Sequence, residues 1–93
     1  MSTYFVYIIR CSDGSYYVGH STDVTERVAA HNSGRGAVWT SSRTPVVLVY
    51  EEPFPTEAAA VARERQLKRW TQAKKQALVD GNLARLKELS RSR

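Results

Sequence analysis

The sequence predicts an α+β domain, a small three-stranded antiparallel sheet flanked by helices in the order β-β-α-β-α-α-α. Three observations predict it: two short β-branched and aromatic runs separated by a turn signal, a third such run entered through Pro45, and a helix-rich second half beginning after Pro53 and Pro55. Strands followed by a run of helices favour a sheet with helices packed on it over strictly alternating β and α units.

Thr3 to Arg10 is a strand by composition, and Ser12-Asp13-Gly14-Ser15 turns the chain into a second strand at Tyr16 to Gly19. The loop length decides the register. With Ser12-Asp13-Gly14 as the loop, Cys11 pairs with Ser15, Tyr7 faces Gly19 and Tyr17 faces Ile9. Tyr7 and Tyr17 are then diagonal neighbours on one sheet face, their Cβ atoms roughly 7 Å apart. A two-residue Asp13-Gly14 loop sends the two phenols to opposite faces instead. Thr22 or Asp23 caps a first helix, with Asp23-Val24-Thr25-Glu26 as a capping box and Asn32-Ser33-Gly34 as its stop. Gly34 to Thr44 is a loop or a short irregular helix, and Val46 to Glu51 is the third strand. Thr56 caps a helix from Glu57 to about Trp70, Thr71 caps one to Val79 stopped by Gly81, and Asn82 caps a last one to about Leu89. Residues from about 90 to 93 form a frayed basic tail.

Ninety-three residues are expected to make a single domain, 1–93, with a small core. At 42% hydrophobic and 25% charged the chain is neither disordered nor membrane-embedded. The apolar run Tyr4 to Ile9 is too short for a signal peptide or a membrane span, so no membrane association is expected. The single cysteine, Cys11, excludes an intramolecular disulfide and a structural zinc site, and it fits a reducing, cytoplasmic compartment. Charge is uneven: residues 1 to 56 carry a net −1 and residues 57 to 93 a net +6. A cationic second half attracts polyanions, of which nucleic acid is the commonest, although helix faces rich in Lys and Arg are often only solvated.

Against that background a few residues carry chemistry. Tyr7 and Tyr17 supply phenols; Arg27 and His31, four apart, share a helix face and supply a guanidinium for phosphate and an imidazole that titrates near neutrality. A lone histidine near a helix end is more often a cap or a surface residue. Glu64 falls within the apolar stripe of Ala60, Val61, Leu67 and Thr71, so a carboxylate points at the body of the protein. Burying that charge is costly unless a cation receives it, either a metal or a salt-bridging Arg27 or lysine. No Gly-rich phosphate loop, HExxH motif or spaced Ser-His-Asp or Cys-His set is present.

Phe5-Val6-Tyr7, then Tyr17-Val18-Gly19, Arg27, His31-Asn32, a third strand and the helix-borne Glu64 together resemble the GIY-YIG nuclease superfamily, in its short stand-alone bacterial branch. Asn32 to Ala37, Leu48-Val49-Tyr50 and Leu67-Lys68-Arg69-Trp70 also look like that branch, and the resemblance runs from Tyr4 to about Leu78. Phe5 stands where the first triplet has glycine, His20 where several members have lysine, and Gln76 is the nearest match to an asparagine that some members carry. The resemblance implies a metal-dependent endonuclease that hydrolyses phosphodiester bonds in nucleic acid, DNA above all. Tyr7, Tyr17, Arg27, His31 and Glu64 would be catalytic, with Glu64 holding one Mg²⁺ or Mn²⁺. The expected nucleic-acid contacts are His20, Asn32, Arg35, Arg43, Arg65, Lys68, Lys74 and Lys75, with a protein partner conceivable for targeting. Which tyrosine is the general base stays open. A nucleic-acid-binding module without turnover and a basic interaction protein are the alternatives.

Overall fold

The computed structural model describes residues 2–91. Three strands, β1 (Tyr4–Arg10), β2 (Tyr16–Ser21) and β3 (Val47–Phe54), form one antiparallel sheet in the order β2-β1-β3. Helix α1 (Val24–Asn32) and the single turn α2 (Val38–Ser41) lie between β2 and β3, and α3 (Glu57–Lys68), α4 (Gln72–Val79) and α5 (Leu83–Arg91) follow.

The central strand carries the fold because both of its faces are covered. Val6 and Ile8 pack with Tyr16, Val18, Ala60, Leu67 and Leu78 under α3 and α4. Tyr7, Ile9 and Cys11 pack with Val24 and Val46 on the α1 side. Val6, Ile8 and Ile9 are fully buried, and a side chain of that size contributes about 1.5–3 kcal/mol on leaving water. No described helix is long and apolar enough to cross a membrane.

The hairpin takes the three-residue loop. The Cys11 amide donates to the Ser15 carbonyl at 2.8 Å, and Gly14 adopts φ +85°, which a glycine reaches without strain. Tyr7 therefore opposes Gly19 and Tyr17 opposes Ile9, on the same face. Helix starts also fall where the capping residues place them. Asp23, rather than Thr22, accepts from the Glu26 amide, Thr56 from Ala59, Thr71 from Lys74 and Asn82 from Arg85.

Several boundaries differ from the sequence reading. The third strand does not end at Glu51: β3 runs through Pro53 to Phe54. It is an edge strand, and a residue without an N–H is tolerated there. β2 extends to Ser21, α3 stops at Lys68 before Trp70, and the segment after Gly34 contains the turn α2. α5 continues through Ser90 to Arg91, so part of the expected frayed tail is helical; residues 92 and 93 lie outside the described residues.

Candidate active site

The hairpin register makes a bed for one phenol. Tyr7 is 1% exposed and lies across from Gly19, where a Cβ would come within 2.5 Å of the Tyr7 Oη and 2.7 Å of its Cζ. The glycine of the second triplet is there because the tyrosine of the first needs the space. Gly19→Ala is expected to cost about 1–3 kcal/mol by overpacking, read as a lower thermal midpoint. An unchanged midpoint would show that the phenol can move aside.

Helix α1 turns His31 into the same layer, and the segment after it closes over the ring. His31 is 2% exposed, not a surface cap. Its Nε2 lies 2.9 Å from the Tyr7 Oη and its Nδ1 2.9 Å from the Thr40 hydroxyl. A Cβ on Gly36 would collide with Nδ1, so Gly36 lets the loop pass against the imidazole. The Tyr17 ring meets the His31 ring edge-on with centroids 5.2 Å apart, and it stacks loosely on Trp39 at 6.0 Å. Arg27, exposed one turn before His31, bears electrostatically on both Tyr7 and His31.

Burial sets the acid–base character of this pair. Loss of water, with the charge of Tyr17 adding to it, pushes the Tyr7 phenol up to about 12, and Arg27 offsets this only in part. Burial and then the Arg27 charge hold His31 below its ordinary value of 6.5. The linkage follows in sign: the unfolded chain takes up a proton on its histidine at a pH where the folded chain does not. The contribution is complete above 6.5 and is lost as pH falls toward the lower folded value. Wild-type protein should therefore lose more stability to urea between pH 7.5 and 5.5 than His31→Gln does. Equal losses in the two proteins would show that His31 is not held neutral.

Glu64 approaches from the other side of the sheet. α3 packs on the face of Val6, Ile8 and Val18, and Glu64 there is paired with the His20 Nδ1 and, at 2.8 Å, with the Lys68 Nζ. Its side chain is 15% exposed. Burial alone would raise its pKa, but hydrogen bonds from Lys68 and His20, reinforced by their charges, outweigh that and hold it below the ordinary carboxylate value. His20 also reaches Glu57 at 3.5 Å. The Lys68 Nζ lies 5.6 Å from the Tyr17 ring centroid, bridging the edge strand β2 between the carboxylate and the phenols. The site thus straddles that edge, with Tyr7, Tyr17 and His31 on one face and His20 and Glu64 on the other.

The remaining expected contacts separate into exposed and engaged groups. Asn32 is engaged, donating to the Val46 carbonyl at 3.0 Å and accepting from its amide at 2.6 Å, which ties the end of α1 to the start of β3. Arg43 bonds Asp13 at 3.1 Å and the Trp39 carbonyl at 2.6 Å, with its guanidinium 4.0 Å from the Trp39 ring centroid. Arg35 and Arg65 are exposed, and Arg35 donates to the Ser33 hydroxyl at 2.9 Å. Lys74 sits over Trp70 at 4.5 Å, and Lys75 is half-buried with its pKa lowered by that burial. Gln76 accepts from the Tyr16 hydroxyl at 2.5 Å and donates to Asp80 at 2.9 Å. Among the described residues no group of three His, Cys, Asp or Glu side chains could hold a metal by itself.

Comparison with known proteins identifies the domain. The GIY-YIG catalytic domain matches residues 3–77. A UPF0213 protein of Haloquadratum walsbyi is 51% identical over 77 residues, covering 83% of this chain and 86% of its own. A UPF0213 protein of Staphylococcus aureus is 48% identical over 79 residues, covering 85% and 96%. Two solution NMR structures are also similar. The UPF0213 protein BH0048 of Bacillus halodurans has 41% identity, a TM-score of 0.55 and coverage of 84% of this chain and 83% of that one. The protein EF2693 of E. faecalis has 34% identity, a TM-score of 0.59 and coverage of 89% and 90%. The matched domain implies nuclease-type activity. With its model spanning most of the chain and the two tyrosine triplets paired across one hairpin, the chain belongs to the GIY-YIG catalytic domain family.

Proposed function

We propose that this protein is a divalent-metal-dependent endonuclease that cleaves phosphodiester bonds in DNA by in-line attack of water. The observation that carries the reading is the buried Tyr7–His31 hydrogen bond, set beside Arg27 and within electrostatic reach of Glu64. A phenol with a pKa near 12 is a poor base alone at neutral pH, but one hydrogen-bonded to a neutral imidazole can take a proton from water as it passes its own to Nε2. Water then forms the new P–O bond, the leaving alkoxide departs with the bonding electron pair and takes a proton from solvent, and His31 returns its proton to solvent. Burial and Arg27 disfavour the imidazolium, so it does not persist. The Tyr17 ring confines the imidazole from the side, and Arg27, exposed on α1, is placed to stabilise charge on the phosphoryl oxygens.

The metal reading rests on Glu64. Its carboxylate offers hard oxygen donors, and one oxygen already receives a cation, the ammonium of a half-exposed and displaceable Lys68. With no group of three His, Cys, Asp or Glu side chains that could hold a metal among the described residues, the fit is to one Mg²⁺ or Mn²⁺ held by Glu64, waters and substrate. When bound, such an ion supplies charge neutralisation at the phosphoryl group. The exposed Arg65 and the half-buried Lys74 and Lys75 extend a cationic path along α3 and α4 for the phosphate backbone. A cleavage assay on single-stranded, duplex and branched DNA, with Mg²⁺, Mn²⁺ or EDTA, tests the reading, with Glu64→Ala excluding a contaminating nuclease. Cleavage should require the metal and the glutamate. Salt-dependent binding without any cleavage would overturn the reading in favour of a binding module.

A further inference from the structure

We propose that Thr40 is a positioning residue that fixes His31 in the Nδ1–H tautomer and so makes Nε2 the proton acceptor for Tyr7; the catalytic consequence rests on the endonuclease reading above. The Thr40 hydroxyl has one proton, and it is directed at the Ala37 carbonyl, 2.8 Å away. Toward His31 Nδ1, at 2.9 Å, that oxygen can only accept, so Nδ1 carries the imidazole hydrogen. Nε2 is then bare and accepts from the Tyr7 hydroxyl at 2.9 Å. Each donor in the chain Tyr7, His31, Thr40, Ala37 has one acceptor, and the direction is set at the Ala37 end.

The surroundings hold the arrangement still. Thr40 is fully buried and His31 and Tyr7 nearly so, which leaves solvent little opportunity to replace any of these bonds. Gly36 lets the backbone pass close against the imidazole, and the single turn α2 exists around the Thr40 side chain, which bonds back to its first turn. The opposite tautomer would point Nε2–H at the Tyr7 hydroxyl and leave two lone-pair groups, Nδ1 and the Thr40 oxygen, facing each other in a buried site. The logic matches that of the serine-protease aspartate, which holds a catalytic histidine in its working tautomer without touching substrate. Here a neutral hydroxyl does the holding, so it orients the ring without adding negative charge.

The test is ¹⁵N NMR of the histidine-labelled full chain at pH 7.5, which reads the two ring nitrogens separately. Wild-type His31 should show a protonated Nδ1 and a bare Nε2. Thr40→Val, close in shape, should shift the tautomer ratio toward Nε2–H by roughly tenfold, about the worth of one hydrogen bond. Thr40→Ser should restore the wild-type pattern. For cleavage, Thr40→Val should lower kcat by at least about tenfold with KM nearly unchanged, again restored by serine. A wild-type spectrum with Nε2 protonated overturns the proposal before any variant is made, and so does an unaltered Nδ1–H spectrum in folded Thr40→Val. An inactive wild type whose tautomer shifts with Thr40→Val would retire the endonuclease reading and leave the tautomer control standing.

Discussion

Tyr7→Phe is expected to lower kcat for cleavage by about 10²–10⁴-fold, the range for removing a positioned acid–base group. Tyr17→Phe should lower it less. The difference comes from what stands behind each phenol. Tyr7 is nearly sealed under the site and its hydroxyl ends on His31 Nε2, so a proton arriving from water has somewhere to go. Tyr17 is half-buried, and its ring rather than its hydroxyl meets His31 and Trp39. Stability should fall modestly in Tyr7→Phe, by about 1–3 kcal/mol, because His31 Nε2 is left buried without a donor. Single-turnover cleavage of a radiolabelled DNA by the two variants, each checked for folding by circular dichroism, decides the assignment. If Tyr7→Phe cleaves at the wild-type rate, the Tyr7–His31 bond serves the fold and the base lies elsewhere.

What the sequence could disclose depended on how local the controlling physics is. The hairpin register was legible because a slip by one residue would turn every side chain of a half-buried strand to the wrong face, and the Ser12-Asp13-Gly14 loop satisfies the pairing with a glycine at positive φ. The helix starts at Asp23, Thr56, Thr71 and Asn82 were legible because a cap bonds an amide only three residues on. The reach of β3 was not, since proline ends a strand only where its missing N–H is needed, and Pro53 sits on an edge. Thr40 and Gly36 carried no signal of their own. Their role depends on an irregular segment folding back nine residues onto His31, and no periodicity reports such a return. Gly36 stood within a family-like stretch, Asn32 to Ala37, but its contact with the imidazole is a fact of packing. The pairing of Glu64 with His20 was hidden for the same reason. Helix phase shows that a residue points inward and stays silent on which strand it meets.

Glu64→Gln is expected to abolish Mn²⁺ binding and to reduce cleavage below detection, while the protein stays folded. An inward carboxylate without a partner is neutralised at no cost to stability. The paired geometry changes that expectation. Glu64 is hydrogen-bonded to His20 and paired with Lys68, and a glutamine leaves the Lys68 ammonium without its anion. Lys68 is about half exposed and can turn to water, so the loss should be held to roughly 1 kcal/mol, in the range for partly exposed ion pairs. The pH dependence identifies the cause. Because the wild-type carboxyl is held below its ordinary value, its contribution is complete above the unfolded carboxylate pKa and is lost as pH falls through the folded one. The wild type should therefore lose stability from about pH 4.5 downward more steeply than Glu64→Gln, whose amide does not titrate there. Calorimetric Mn²⁺ titration gives the metal result independently of turnover. A Glu64→Gln variant that binds Mn²⁺ as tightly as wild type would remove Glu64 as the ligand, and one that also matched its acid sensitivity would remove it as the counter-ion of Lys68.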